Sequence, residues 1–82
     1  MNALARKIGK ILEETGLKQM SVHLLAKQCD EAGLNSDALT LNDLDLLVDR
    51  LEDILPFFIG QNAEIAVQRI MDLKLEERKE EF

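Results

Sequence analysis

The chain of 82 residues lacks several features that define common protein classes. It has one cysteine, Cys29, so it cannot form an intrachain disulfide, which excludes the small secreted domains that depend on disulfides. Its longest apolar run, 54–59, is six residues long, whereas a transmembrane helix needs about 20. The first 19 residues are amphipathic and contain no continuous apolar segment of the kind found in signal peptides. We therefore expect a cytoplasmic protein with no membrane association.

Tryptophan and tyrosine are also absent, and there are only three phenylalanines. A hydrophobic core must therefore consist mainly of aliphatic side chains. Leucine, alanine, glutamate, aspartate and lysine dominate while β-branched residues are sparse, which favours helices over strands. The length suits one domain, and a domain this small buries only a little over ~60% of its unfolded surface. The composition predicts a single all-α domain.

Apolar residues recur every three or four positions along most of the chain, as expected for helices that bury one face. The pattern predicts a compact bundle of about four helices at about 2–15, 18–32, 41–55 and 62–76, with an optional helical turn at 36–39. The domain is expected to span 1–76, and the charged segment 77–82 to be a frayed tail. The residues predicted to face the core are Leu4, Ile8, Ile11 and Leu12 in the first helix, Val22, Leu25, Ala26, Cys29 and Ala32 in the second, Leu44, Leu47, Val48, Leu51, Ile54, Leu55 and Phe58 in the third, and Ala63, Ala66, Val67, Ile70 and Leu73 in the fourth.

The third helix has the clearest start and end signals. Thr40 and Asp43 form a T-x-x-D variant of the capping box, which predicts the start of the helix. Pro56 has no N–H and disfavours helical geometry at the preceding residue, so we expect the regular helix to stop or kink there. Residues 57–59, two phenylalanines and an isoleucine, are then expected to supply much of the bulk of the core.

Other helix ends are indicated by asparagine and glycine. Asn2 and Asn62 are candidate N-caps of the first and last helices. Gly16 and Gly33 stand where glycine commonly ends a helix. Gly9 falls on the polar side of the first helix, where it costs roughly 1 kcal/mol relative to alanine. Close packing against another backbone and neutral drift both explain a glycine at this position.

The net charge of −6 is unevenly distributed. Residues 21–62 contain two basic and eight acidic residues, whereas residues 1–20 carry a net charge of +2. Because neutralisation of phosphates drives binding to nucleic acids, the acidic middle argues against a surface for duplex DNA, and we expect no such binding at physiological salt. The alternative is a nucleic-acid-binding transcriptional regulator that uses the basic first helix, with Arg6, Lys7 and Lys10.

The residues with catalytic or metal-binding chemistry are few. His23 and Cys29 are the only histidine and the only cysteine, and a metal site would need carboxylates to complete it. His23 falls off the apolar stripe and is expected to be solvated, while Cys29 is expected to be a buried hydrophobe without a nearby base. The sequence predicts no catalytic residue, no metal and no cofactor, and we expect a protein that is not an enzyme.

Six residues are candidates for contacts with a protein partner. They are acidic residues on the outer side of the third helix and apolar residues that lie off the predicted stripes: Asp45, Leu46, Asp49, Asp53, Ile65 and Leu75. The acidic side is either a solvated face or a docking surface for a basic partner, and Leu46 is either a lone exposed leucine or a partner contact. Because a two-fold dimer would cover the extra apolar residues, we also predict a weak or moderate homodimer through the last helix.

The segments G-L-N-S-D-A-L-T-L-N-D-L-D-L-L-V-D-R-L, F-F-I-G and A-E-I-A-V-Q-R-I lie between Gly33 and Leu73, about half of the chain. This pattern resembles small all-α modules of bacteria and archaea that stand alone or are appended to signalling and regulatory proteins. The resemblance implies a helical module for interaction or regulation with an unidentified protein partner. It carries over no catalytic residue.

Overall fold

The computed structural model describes the backbone of residues 1–80 and the side chains of residues 1–76. Four α-helices are present: α1 (Ala3–Leu12), α2 (Ser21–Glu31), α3 (Leu44–Ile59) and α4 (Asn62–Glu80). Short helical turns join α1 to α2, so the helical backbone forms three uninterrupted stretches in residues 1–80, and no strand lies within this range. The predicted all-α class is confirmed. Residues 36–38 form a hydrogen-bonded turn and not a separate helix.

The N-cap predicted at the first helix is present, and it also fastens α1 to the linker before α3. The Asn2 Oδ1 atom accepts from the Ala5 backbone N–H at 3.0 Å. The Asn2 Nδ2 atom donates to the Leu39 carbonyl at 2.8 Å, and the Asn2 backbone N–H donates to the Ser36 carbonyl at 2.9 Å. Because these bonds hold the linker against α1, Leu39 is buried in the core.

The connection between α1 and α2 is longer than predicted and consists of two short helical turns over residues 13–20. The first helix ends at Leu12 and not near residue 15, and a π-helical turn follows over Glu13–Leu17. Gly16 has φ +136°, a conformation that only glycine adopts easily, and a Cβ there would lie 2.9 Å from the Ile59 Cγ2 atom. Lys18 also has a positive φ, 52°. The chain therefore reverses here in close contact with the end of α3.

The predicted face of the second helix was wrong in part: Leu25 and Cys29 are buried as predicted, but other positions are not. Val22 and Ala26, which were expected in the core, are exposed, whereas Leu24 and Gln28 are buried. In this orientation of the helix Leu24 is buried beside Leu25, and its side chain is larger than that of Val22 or Ala26. Gln28 can be buried because its Oε1 atom accepts from Arg50 at 3.2 Å.

The start of α3 agrees with the prediction, but its end does not. The Asp43 carboxylate accepts from the Thr40 backbone N–H at 2.9 Å, and Leu44, Leu47, Val48, Leu51 and Leu55 are buried as predicted. The helix continues through Pro56 to Ile59 and ends at Gly60, which has φ +58°. Pro56 is exposed and lies in the last turns, where few helical bonds remain to be lost.

This extension of α3 overturns the expected role of residues 57–59. Phe57 and Phe58, predicted to be core residues, are exposed, and only Ile59 is partly buried, against Gly16. Both phenylalanines lie beyond Leu55, the last residue of α3 that is fully buried. Among the described residues the core is accordingly aliphatic, and neither Phe57 nor Phe58 is one of its buried side chains.

The last helix runs antiparallel to α3 after a connection of two residues, Gly60 and Gln61. It buries Ala63, Ala66, Ile70 and Leu73, and partly buries Val67, as predicted. Asn62 is not the residue before the helix but its first residue, and its Nδ2 atom donates to the Thr15 carbonyl at 3.0 Å. The helix reaches Glu80, past the predicted end at 76. The predicted frayed tail, 77–82, overlaps the end of this helix. Positions 81–82 lie outside the described residues, so the fraying of the tail stays a prediction.

Candidate functional site

The acidic residues predicted as partner contacts all lie at the surface of α3. Asp45, Asp49 and Asp53 are exposed, and Leu46 is 47% exposed between them. Asp45 differs from the others because the Lys74 Nζ atom lies 3.4 Å from its Oδ2 atom, across the junction with α4. Part of the predicted acidic surface is therefore neutralised within the domain.

The two apolar candidates on the last helix are exposed but do not form one patch. Ile65 and Leu75 each expose more than half of their side-chain surface. Ten residues of helix separate them by about 15 Å along the axis and by about 80° around it. The homodimer through this helix stays a prediction, and no single apolar stripe of α4 supports it.

The most exposed large apolar side chain among the described residues is Phe57, which lies in a region that sequence reasoning missed. We define the apolar end as Met20, Ile54, Phe57 and Phe58, where the turn before α2 meets the last turns of α3. Phe57 is 87% exposed, Met20 and Phe58 are about half exposed, and Ile54 is partly buried. The i, i+4 spacing placed Ile54 and Phe58 on one side of α3, but the sequence analysis assigned that side to the core.

Two grooves flank the α3 helix near this end. The groove between α2 and α3 has a volume of about 340 Å³ and includes Met20, His23, Lys27 and Phe58 in its lining. The groove between α3 and α4, about 370 Å³, is lined by Glu52, Pro56, Ala63, Glu64, Val67 and Gln68. The first groove has both a basic residue, Lys27, and an acidic one, Glu31, on its α2 side, whereas the second has an acidic residue on each of its sides.

The basic surface of the first helix is interleaved with acidic residues. Lys7 and Lys10 line a groove of about 350 Å³ together with Glu14, Arg69, Asp72 and Glu76. Arg69 lies 3.5 Å from Glu14. Equal numbers of cations and carboxylates line this groove, so it lacks the net positive charge that phosphate binding needs.

The two residues considered for metal or nucleophilic chemistry differ in their exposure to solvent. His23 is exposed, and Cys29 is buried with 1% of its surface accessible. Burial raises the pKa of the Cys29 thiol, and the negative charge of Asp43 raises it further, which disfavours the reactive thiolate. Among the described residues, no group of three or more histidine, cysteine, aspartate or glutamate side chains is arranged to hold a metal ion.

One further ionic contact fastens the linker. The amino group of Met1 lies 2.8 Å from the Asp37 Oδ1 atom. It lowers the pKa of that carboxyl mainly through a hydrogen bond, and its positive charge adds a smaller effect in the same direction. Asp37 is exposed, so this pair contributes little to stability.

No helix in the described part of the chain is long and apolar enough to cross a membrane. Comparisons with models of known protein families, with curated protein sequences and with solved structures find no match to this chain.

Proposed function

We propose that the chain is a non-enzymatic protein–protein interaction module that binds its partner through the apolar end. The observation that carries this proposal is the 87% exposure of Phe57 beside the half-exposed Phe58. Aromatic residues are enriched in the buried centres of protein interfaces, where they bury a large apolar area. The buried core of the described residues contains no aromatic side chain, so Phe57 and Phe58 are available for contact with another molecule.

The backbone beneath the apolar end is fixed by contacts with the rest of the domain, which supports the proposal. Ile59 packs against Gly16, and the Asn62 side chain donates to the Thr15 carbonyl at 3.0 Å. These contacts hold the end of α3 and the start of α4 to the turn after α1. An aromatic pair on a fixed backbone loses less conformational entropy on binding than one on a flexible loop.

Site-specific photo-crosslinking in cells of the native host tests the proposal. The photoreactive amino acid p-benzoylphenylalanine replaces Phe57 in one variant and Ala3, an exposed residue of α1, in a matched control. We expect a discrete adduct with one protein from position 57, no such adduct from position 3, and a lower yield when Phe58→Ser is added. Equal labelling from the two positions, or no discrete adduct from position 57, would contradict the proposal.

A further inference from the structure

The groove between α3 and α4 combines an apolar floor with acidic sides. Pro56, Ala63 and Val67 line its floor, while Glu52 of α3 and Glu64 of α4 lie on opposite sides. It continues past Gly60 and Gln61 toward Ile65 at the start of α4. None of the side chains that line these two regions is cationic.

The cations of α3 and α4 within residues 1–76 are directed elsewhere, and Arg69 of α4 lies 3.5 Å from Glu14. Arg50, the only basic residue of α3, donates to Gln28 at 3.2 Å and to Glu31 at 2.7 Å, on the α2 side. Lys74 pairs with Asp45 at the far end of the α3–α4 junction. Asp49 is exposed one turn before Glu52 and adds to the negative charge on the α3 side. The negative charge of the groove is therefore not balanced by the cations of α3 or by Lys74.

We propose, as a refinement of the proposed function, that this groove binds a segment of the partner that has one large apolar residue flanked by lysine or arginine. The apolar residue lies on Pro56, Ala63 and Val67, and the cations meet Glu52 and Glu64. Opposite charges across an interface speed association and select the partner. The groove volume, about 370 Å³, lies near the lower end of the range of small-molecule pockets and suits one or two side chains.

A second copy of this chain is a poorer occupant. The chain carries a net charge of −6, so two copies repel each other. In a two-fold dimer the same patch meets itself, which would place the acidic sides of one groove against those of the other. Like charges in contact oppose association, so the charge pattern favours a basic partner.

Selection from a random peptide library tests this inference on the full chain. A phage-displayed library of 12-residue peptides is panned against the wild-type protein at 150 mM salt, and the enriched peptides are measured by fluorescence polarisation. We expect enriched peptides with lysine or arginine on both sides of a large apolar residue. Their affinity should fall about ten-fold in Glu52→Lys and about two- to five-fold for each acid neutralised in Glu52→Gln and Glu64→Gln.

Asp30→Lys is the matched control because Asp30 is an exposed acid on α2, away from the groove, and the substitution changes net charge by the same amount. Screening over about 8 Å at this salt should leave its peptide affinity within about two-fold of wild type. Circular dichroism confirms that each variant is folded. Peptides that are acidic or uncharged, no enrichment at all, or equal losses in Glu52→Lys and Asp30→Lys would overturn the inference.

Two outcomes separate this inference from the proposed function. If peptide affinity is lost in Phe58→Ser but unchanged in Glu52→Lys, the apolar end binds peptides and the groove inference is wrong while the proposed function stands. If sedimentation velocity shows a dimer that Glu52→Lys strengthens, a second copy occupies the groove and the inference is overturned. A failed crosslink at position 57 together with groove-dependent peptide binding would overturn only the proposed role of the apolar end.

Discussion

Replacing Leu51 by alanine should remove a large part of the stability of the domain. Leu51 is 0% exposed in the middle of the buried face of α3. The substitution deletes three carbon atoms, which at about 0.8 kcal/mol per buried methylene is a transfer loss of about 2.4 kcal/mol. A cavity left in a packed core raises the total to about 2–5 kcal/mol. At roughly 0.05–0.15 kcal/mol per residue the whole domain has about 4–12 kcal/mol, so the loss is a substantial part of the total.

The matched control for this prediction is Leu46→Ala, on the same helix. Leu46 is 47% exposed, so its substitution removes the same atoms from a surface that is already half in water and should cost less than about 1 kcal/mol. Urea unfolding followed by circular dichroism at 222 nm measures both free energies of unfolding. If Leu51→Ala costs less than about 1 kcal/mol, or no more than Leu46→Ala, the assigned buried face of α3 is wrong.

Three further substitutions test other parts of the fold. Gly9 is buried, but a Cβ there would lie 3.8 Å from the Leu25 Cδ2 atom, an ordinary contact, so Gly9→Ala should raise the free energy of unfolding by about 0.5–1 kcal/mol. Gly16→Ala should lower it by at least about 1–3 kcal/mol, because its φ of +136° is unfavourable for alanine and the added Cβ meets Ile59 at 2.9 Å. The raised pKa of the Cys29 thiol keeps it protonated in the folded chain when the unfolded chain ionises, so stability should fall as pH rises above about 8.5. Cys29→Ala should remove that part of the pH dependence.

Each of these predictions has its own control. Gly33→Ala is the control for Gly16, because Gly33 also has a positive φ, +73°, but nothing within 4 Å of an added Cβ. Equal losses at the two glycines would show that contact with Ile59 has no effect. A destabilising Gly9→Ala would show that α1 and α2 are packed more closely than the structure indicates. Identical pH profiles of wild type and Cys29→Ala between pH 8 and 10 would contradict the raised thiol pKa.

The sequence alone determined the helical class, the start of α3 and the buried faces of α3 and α4. The Thr40–Asp43 capping box and the spacing of Leu44, Leu47 and Leu51 act within one or two turns of a single helix, so they do not depend on what packs against it. The exposure of Asp49, Leu46 and their neighbours followed from the same periodicity.

Only the tertiary structure decided which face α2 buries, how far α3 continues and where its phenylalanines lie. The sequence of α2 offers two overlapping apolar faces, and the choice depends on Arg50 of another helix, which bonds to the buried Gln28. Pro56 is compatible with a helix end or with a helix that continues, and Ile59 against Gly16 is a contact between residues 43 positions apart in the chain. Local sequence patterns carry no information about such distant contacts. In the tertiary structure Phe57 and Phe58 lie at the surface, where the binding site is proposed.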